Sequence, residues 1–252
     1  MGISIKFKYY ENDIMKMSVQ EKKYDTKIEP NEHIIVRLDG HKFSTFTKDF
    51  YKPFDNIIGN AMKQVTIDLV LKFNASTGYT QSDEITLFIP FTEREHSFNG
   101  RIQKLNSLIT SFTTTKFNEY IQKHKKVSAL FDCRIYGVYT KYDVFSEFLD
   151  RMRNAEKNSR SVFAQTYCSH KSLQNLNGKE QVDLCRTKFG KNWDEIEERY
   201  KYGVLVKKEK IKKRIINQWH DGYVTRTVAK EWTEKMNYSQ NNVDTIFSKF
   251  LI

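Results

Sequence analysis

Along the first ninety residues, apolar positions recur with the period of a strand in some segments and with the period of a helix in others. These segments predict strands and helices in a definite order. Residues 33–38 are a β-branched apolar run ending at Asp39-Gly40, as expected for a strand that stops at a turn. Asp55 can cap a helix, because apolar residues recur after it near helical spacing. Two short strands follow, at 76–80 and 85–89, with a reversal at 81–84. The apolar helix positions are Ile57, Ile58, Ala61, Met62, Val65, Leu69 and Phe73.

The next fifty residues repeat this alternation of helix and strand. Apolar positions predict a second helix over 102–124, and residues 129–139 have the pattern of another strand. The resulting order β-α-β-β-α-β is the split βαβ or ferredoxin-like order. We therefore expect an α+β fold, with an antiparallel sheet and its helices on one face. The palm of many polymerases has this order, but fold alone does not establish function.

The second half of the chain has a different character. Val144, Phe145, Phe148, Met152 and Ala155 fall on one face of a predicted helix, and 200–206 is the best later strand candidate. A boundary near residue 140 would separate a palm-like catalytic domain, 1–140, from a helical and basic RNA-contacting part, 141–252. The two parts can equally pack as one domain.

Charge adds a candidate class of partner. The chain has 252 residues, 39% of them hydrophobic, and 42 Lys and Arg against 31 Asp and Glu give a net charge of +11. The excess is concentrated between Lys201 and Arg214, which favours a polyanion. A solvated lysine-rich face is an equally good interpretation of this run. Its basic residues are Lys201, Lys207, Lys208, Lys210, Lys212, Lys213 and Arg214.

Cysteine spacing and the N-terminal residues bear on the compartment. Three cysteines without C-x-x-C spacing predict reduced thiols rather than disulfides or a zinc site. No apolar stretch is long enough for a signal peptide or a membrane span, so we expect no membrane association. The first thirty residues mix both charge signs, unlike a transit peptide, which favours the cytoplasm and leaves the mitochondrion as the alternative.

Two acidic positions carry the candidate chemistry. Asp39 ends one predicted strand and Asp83-Glu84 lies in the reversal between two others, so pairing of these strands would bring the carboxylates together. Mg²⁺ takes such oxygen ligands together with phosphates and water. The turn at Gly40 and the amides after it are a possible anion cradle, which Lys52 and Ser82 could complete. In isolation an Asp-Gly pair is usually only a turn.

These residues together resemble a known family. Val36-Arg37-Leu38-Asp39-Gly40 with Phe43 and Phe46, then Lys52-Pro53 with Asp55, then Gly78-Tyr79-x-Gln81-Ser82-Asp83-Glu84 are similar to the motifs of the tRNA-His guanylyltransferase superfamily. The resemblance implies nucleotide addition to RNA 5′ ends in the 3′-to-5′ direction, on a polymerase-like palm.

The resemblance also implies roles for single residues. Asp39 and Asp83 would bind two Mg²⁺ ions with the carbonyl oxygen of Gly40, and Glu84 would support them; we take the three acidic residues as catalytic. A triphosphate, from substrates that include GTP and ATP, would be held by backbone and side chains. Partners would be tRNA and, as in family members, three further copies in a homotetramer. The nucleotide-binding set is Gly40, His41, Lys42, Phe43, Ser44, Lys52 and Ser82.

Departures from the family pattern narrow the expected activity. The guanylyltransferases proper carry His-Ile-Asn-Asn-Leu-Tyr-Asn where this chain has 152–161, and an asparagine where this chain has Phe54. We therefore expect templated repair or editing of 5′-truncated tRNA. Single G addition to tRNA-His, a nucleotide cyclase and a non-catalytic RNA-binding module are the alternatives. Candidate RNA contacts are Arg153, Asn158, Lys179, Lys207 and Lys208.

Overall fold

The strands of the described residues form one antiparallel sheet. The computed structural model describes residues 19, 21–92, 96–217, 220–233 and 235–250. Within these ranges the strands are β1 (His33–His41), β2 (Thr77–Gln81), β3 (Glu84–Ile89), β4 (Leu130–Val138), β5 (Val204–Asn217) and β6 (His220–Trp232). Their order in the sheet is β4-β1-β3-β2-β5-β6. The predicted ferredoxin-like part, β4-β1-β3-β2, is confirmed, and β5 and β6 extend it.

Helices cover both faces of this sheet. Alternate residues of β1 point to opposite faces, as the strand period requires: Val36 packs in the core with α2 and α3, and Ile35 in the core with α4 and α8. The two helices of the palm thus share one face, and helices from the second half cover the other. The helices are α1 (Phe43–Phe46), α2 (Asn56–Lys72), α3 (Ile102–Ile121), α4 (Lys141–Tyr167), α5 (His170–Leu173), α6 (Gly178–Phe189), α7 (Glu198–Tyr202) and α8 (Gln240–Phe247).

Local side-chain caps explain where the main helices begin. The Asp55 carboxylate accepts hydrogen bonds from the amides of Ile57 and Ile58, at 2.7 and 3.3 Å, which confirms the predicted cap of α2. At α4, Thr140 and Asp143 form a reciprocal capping box. Both caps satisfy amides that have no partner inside the helix.

The strand predicted at 200–206 begins later than expected. Tyr202 ends α7, Gly203 turns the chain with φ 78°, and β5 starts at Val204. Gly203 lies against the Tyr79 side chain, where an added Cβ atom would sit 2.4 Å from the hydroxyl oxygen, so only glycine fits. The predicted helical C-terminal part therefore also contains a hairpin, and most of the basic run lies on β5.

Contacts across residue 140 are extensive. β5 pairs with β2, from Thr80↔Val204 to Thr77↔Lys207, and Phe148 of α4 is fully buried among sheet residues. The domain boundary near residue 140 stays a prediction. Among the described residues, no helix is long and apolar enough to cross a membrane.

Candidate active site

The candidate acidic pair lies where β1 ends beside the turn between β2 and β3. β1 and β3 pair as far as Leu38↔Ile85, so the next residues of each strand lie at the same end of the sheet. Gly40 allows the β2–β3 turn and the ring of Phe43 to lie close to the backbone of β1. A Cβ atom on Gly40 would lie 2.9 Å from Cβ of Asp83 and 2.5 Å from the ring of Phe43. The pairing therefore brings the backbone after Asp39 against Asp83.

Electrostatics also connect the two carboxylates. The pKa of Asp83 is raised to about 6, mainly by burial and also by the negative charges of Asp39 and Glu84, against hydrogen bonds from its own amide and from Ser82. Carboxylates that repel one another in a partly buried place are stabilised by a cation. Within the described residues, however, no group of three or more His, Cys, Asp or Glu side chains is arranged to hold a metal ion.

Glu84 faces the sheet side covered by α4. Its carboxylate lies 3.6 Å from a guanidinium nitrogen of Arg151, and both side chains are partly buried. Arg151 is not among the residues predicted from sequence, because a helix pattern marks the buried face but does not show which strand end a charged residue will meet. The structure thus adds a positive charge next to the acidic cluster.

The segment after β1 makes a tight turn into α1. Lys42 has a left-handed backbone, with φ 49°, and its carbonyl oxygen accepts hydrogen bonds from the amides of Thr45 and Phe46. The side chains of His41, Lys42 and Ser44 are exposed. The ring of Phe43, in contrast, is buried against Phe46, Phe117 and Phe131. Phe43 is therefore a core residue that can meet a ligand only through its backbone.

Several of the predicted residues share one cavity of about 410 Å³, a size typical of small-molecule sites. It lies between α1, the loop before α2, the β2–β3 turn, α4 and α7. Asp39, Gly40, His41 and Lys42 are outside its lining. The predicted residues that line it are Phe43, Ser44, Lys52, Ser82, Asp83, Glu84 and Asn158.

Two of the predicted RNA contacts are buried, which corrects the prediction. The ammonium group of Lys207 donates hydrogen bonds to Oγ1 of Thr77 at 2.7 Å and to the carbonyl oxygens of Ile246 and Ser248. Lys208 donates to Oδ1 of Asn74 at 2.6 Å. Both lysines are almost inaccessible to solvent, so they hold the fold together instead of presenting charge to RNA.

The remaining RNA candidates are exposed. Arg153 is on the outer face of α4, with Asp150 at 3.9 Å. Lys179 lies in the first turn of α6, away from the cavity. Asn158 is exposed and also lines the cavity.

Other functional candidates were missed. Asp132 of β4 is directly opposite Asp39 in the β1–β4 register, where Cβ atoms are about 4.5–5.5 Å apart. Asp132 is the one acidic residue of β4, which was a usable signal, but the residue it faces depends on the order of strands in the sheet. Arg199 and Tyr200 of α7 also line the cavity. Nothing in the local pattern around these two residues indicates that they reach residues 140 positions earlier.

Comparison with known proteins identifies the family. The family model described as tRNAHis guanylyltransferase matches residues 15–139. An uncharacterized protein of Acanthamoeba polyphaga mimivirus is 32% identical over 93% of this chain and 89% of its own length. A structure of a bacterial tRNA(His) guanylyltransferase-like protein in complex with ATP has 31% identity and a TM-score of 0.72, covering 83% of this chain and 90% of that one.

A second bacterial structure of this kind, in complex with GTP, has 28% identity and a TM-score of 0.70 over 89% of this chain and 93% of that one. Both structures cover a larger share of this chain than the segment matched by the family model. The chain belongs to the tRNAHis guanylyltransferase family, and it is a nucleotidyltransferase that acts on tRNA.

Proposed function

We propose that this chain adds nucleotides in the 3′-to-5′ direction to the 5′ end of tRNA, with the opposing strand as template, in repair or editing of truncated ends. The attacking group would be the 3′-hydroxyl of the incoming nucleotide. The electrophile would be the activated 5′ phosphate of the RNA, either a triphosphate or an end adenylylated with ATP. The observation that carries the proposal is that Lys52, Ser82 and Asp83 line a single cavity beside the end of β1.

The donor atoms at the acidic pair fit Mg²⁺. Asp39, Asp83 and the carbonyl oxygen of Gly40 are the hard oxygen ligands this ion prefers. The pKa of Asp83 is raised mainly by burial and also by the charge of Asp39, and a bound cation would offset both effects. Two bound Mg²⁺ ions would supply activation of the attacking hydroxyl and stabilisation of the departing pyrophosphate. The contact of Glu84 with Arg151 supports a positioning role for Glu84 at this site.

Nucleotide binding would combine backbone and side chains. The amides from Gly40 to Ser44, including those of His41, Lys42 and Phe43, would cradle phosphate oxygens, because a left-handed residue in a tight turn points successive amides the same way. Lys52 and Ser82 would add an ammonium group and a hydroxyl. Complexes of related bacterial proteins with ATP and GTP support nucleoside triphosphates as substrates.

RNA would contact the basic exposed surface. Arg153, Asn158 and Lys179 are exposed and stay candidates. Three exposed lysines of β5, namely Lys210, Lys212 and Lys213, retain the charge of the basic run after its buried members are set aside. Their position on a hairpin beyond the β2 pairing supports a surface for a polyanion.

The departures from the family pattern favour templated addition over single G addition. Residues 152–161 lie in α4 and lack the family's histidine-asparagine motif. Phe54, at the cavity, has no hydrogen-bonding group in its side chain. Phe54 therefore cannot select a base by hydrogen bonding, which is compatible with selection by pairing with the template.

The decisive experiment incubates a tRNA lacking its first 5′ nucleotide with all four nucleoside triphosphates and Mg²⁺. We expect extension by the nucleotide complementary to the opposing acceptor strand, and the added base should follow when that strand is changed. Absence of extension would contradict the proposed function. Addition of one G to tRNA-His whatever the opposing base would favour the guanylyltransferase alternative.

The proposed assembly follows the family resemblance, and the proposed location follows the mixed charges of the first thirty residues. We propose a homotetramer acting in the cytoplasm. Native mass spectrometry of the purified chain tests the tetramer, and a mass of one, two or three copies would contradict it. Fluorescence microscopy of the tagged chain tests the location, with mitochondrial signal as the opposing result.

A further inference from the structure

Three side chains form a layered stack in one wall of the cavity. The rings of Phe54 and Tyr200 are nearly parallel, with centroids 4.9 Å apart and an interplanar angle of 11°. The guanidinium carbon of Arg199 lies 4.7 Å from the Tyr200 centroid. All three line the cavity, although Phe54 comes from the loop before α2 and the other two from α7.

Polar contacts hold the back of this stack in place. Arg199 donates hydrogen bonds to Oδ1 of Asn60 at 2.7 Å and to Oδ1 of Asn56 at 2.6 Å. The Tyr200 hydroxyl donates to the same Asn56 oxygen at 2.6 Å. Gly59 fits closely beneath the ring, since a Cβ atom there would be 3.2 Å from Tyr200. The stack is therefore fixed before any ligand arrives.

The loop that carries Phe54 is anchored as well. The Asp55 carboxylate accepts a hydrogen bond from the amide of Tyr51 on one side and caps α2 on the other. Phe54 and Lys52 lie between these two points. A ring presented by a rigid loop loses little conformational freedom when a ligand packs on it.

We propose that Phe54, backed by Tyr200 and Arg199, is the platform on which the base of the bound nucleotide stacks, and that it accepts all four bases. The proposal rests on the proposed function, which puts a nucleoside triphosphate in this cavity. Tyr200 covers one side of a ring that is only half-buried. Phe54 lines the cavity, so a flat aromatic group bound there would pack on the ring face opposite Tyr200.

The chemistry of the wall explains why it would not select a base. Phe54 has no polar atom, and the hydroxyl of Tyr200 and two guanidinium nitrogens of Arg199 are already engaged by the asparagines of α2. Every base has a π-face, so stacking on an aromatic side chain is tolerant of sequence. Selection is then left to pairing with the RNA template, as templated addition requires.

The test measures binding of ATP, GTP, CTP and UTP with Mg²⁺ and without RNA, by calorimetry, for the full chain and its Phe54→Leu variant. Leucine keeps an apolar side chain and removes the π-face. We expect the dissociation constants of all four nucleotides to rise by similar factors, within about 5- to 100-fold. Phe189→Leu, at an exposed aromatic residue that ends α6 outside the cavity, is the matched control and should bind all four as the native chain does.

A Phe54→Trp variant keeps the test valid if leucine disturbs folding. We expect it to bind nucleotides at least as tightly as the native chain and to show quenching of tryptophan fluorescence on binding. Unchanged dissociation constants in Phe54→Leu, or a loss of affinity for only one of the four nucleotides, would contradict the proposal that Phe54 is a stacking platform for all bases. These binding measurements need no RNA, so they are independent of the extension experiment. If the native chain failed to extend truncated tRNA, the proposed function would be wrong. Weaker nucleotide binding by Phe54→Leu would still support the stacking platform.

Discussion

A Cβ atom on Gly40 would lie 2.9 Å from Cβ of Asp83. The end of β1 therefore contacts the β2–β3 turn with no room for a methyl group between them. This contact sets how the carboxylate of Asp83 stands relative to the backbone after Asp39. It makes Gly40 a structural requirement of the proposed metal site.

We expect Gly40→Ala to lower kcat/KM for tRNA extension on the order of 100-fold, because a displacement of about 1 Å at reacting groups has that effect. Extension kinetics at saturating Mg²⁺ would measure it. Gly178→Ala is the control, since its Cβ atom would make an ordinary 3.5 Å contact with Arg160. A native rate in Gly40→Ala would show that the contact does not position the site.

Replacement of either proposed ligand by its amide should remove activity without unfolding the protein. We expect Asp39→Asn and Asp83→Asn each to reduce kcat on the order of 1,000-fold, since metal ligands supply several kcal/mol to the transition state. The melting temperature of Asp83→Asn without metal should equal or exceed the native value, because the variant removes a partly buried charge beside Asp39. Asp150→Asn, on exposed α4 surface, is the control. Turnover that survived either change would contradict the assignment.

Lys207 should make the stability of the protein depend on pH. Burial, together with the positive charge of Lys208, lowers its pKa from 10.5 to about 7. Between these values the unfolded chain holds the proton that the folded chain releases, so this group makes the free energy of unfolding rise with pH from about 7 towards 10.5.

The slope from this one group is at most about 1.4 kcal/mol per pH unit. We expect Lys207→Met to lose that slope in urea unfolding between pH 7 and 9.5, and the exposed Lys210→Met to keep it. Parallel curves for the native chain and Lys207→Met would contradict a lowered pKa.

The affinity for RNA should depend on the exposed lysines of β5 and not on the buried ones. We expect Lys212→Gln to weaken tRNA binding and to reduce the slope of log K against log salt by about 0.7–0.9, the effect of one lost phosphate contact. Lys208→Gln should leave that slope unchanged and lower the melting temperature, because its ammonium group is bonded to Asn74 inside the fold. Filter binding at several salt concentrations would measure both, and an equal slope change in the two variants would contradict the distinction.

Periodicity was sufficient for the palm because its signals are local. The apolar run before Asp39, the Asp55 cap and the reversal at 81–84 each depend on residues close in sequence, and all three elements are present. β1 nevertheless continues to His41, beyond the predicted turn at Asp39-Gly40, because its last residues pair with β4. The start of β5 was misplaced, because it depends on Gly203 meeting the ring of Tyr79 more than a hundred residues earlier. A charge run was also a poor guide to exposure, as Lys207 demonstrates.

The sequence by itself determined the order of strands and helices, the acidic residues at strand ends and the family resemblance. Only the tertiary structure decided which of these residues share a cavity. Arg151 reached Glu84, and Tyr200 reached Phe54, through the packing of α4 and α7 against the palm. The physical reason is that strand period and helix caps act over a few residues, whereas a site is assembled by contacts between segments far apart in the chain.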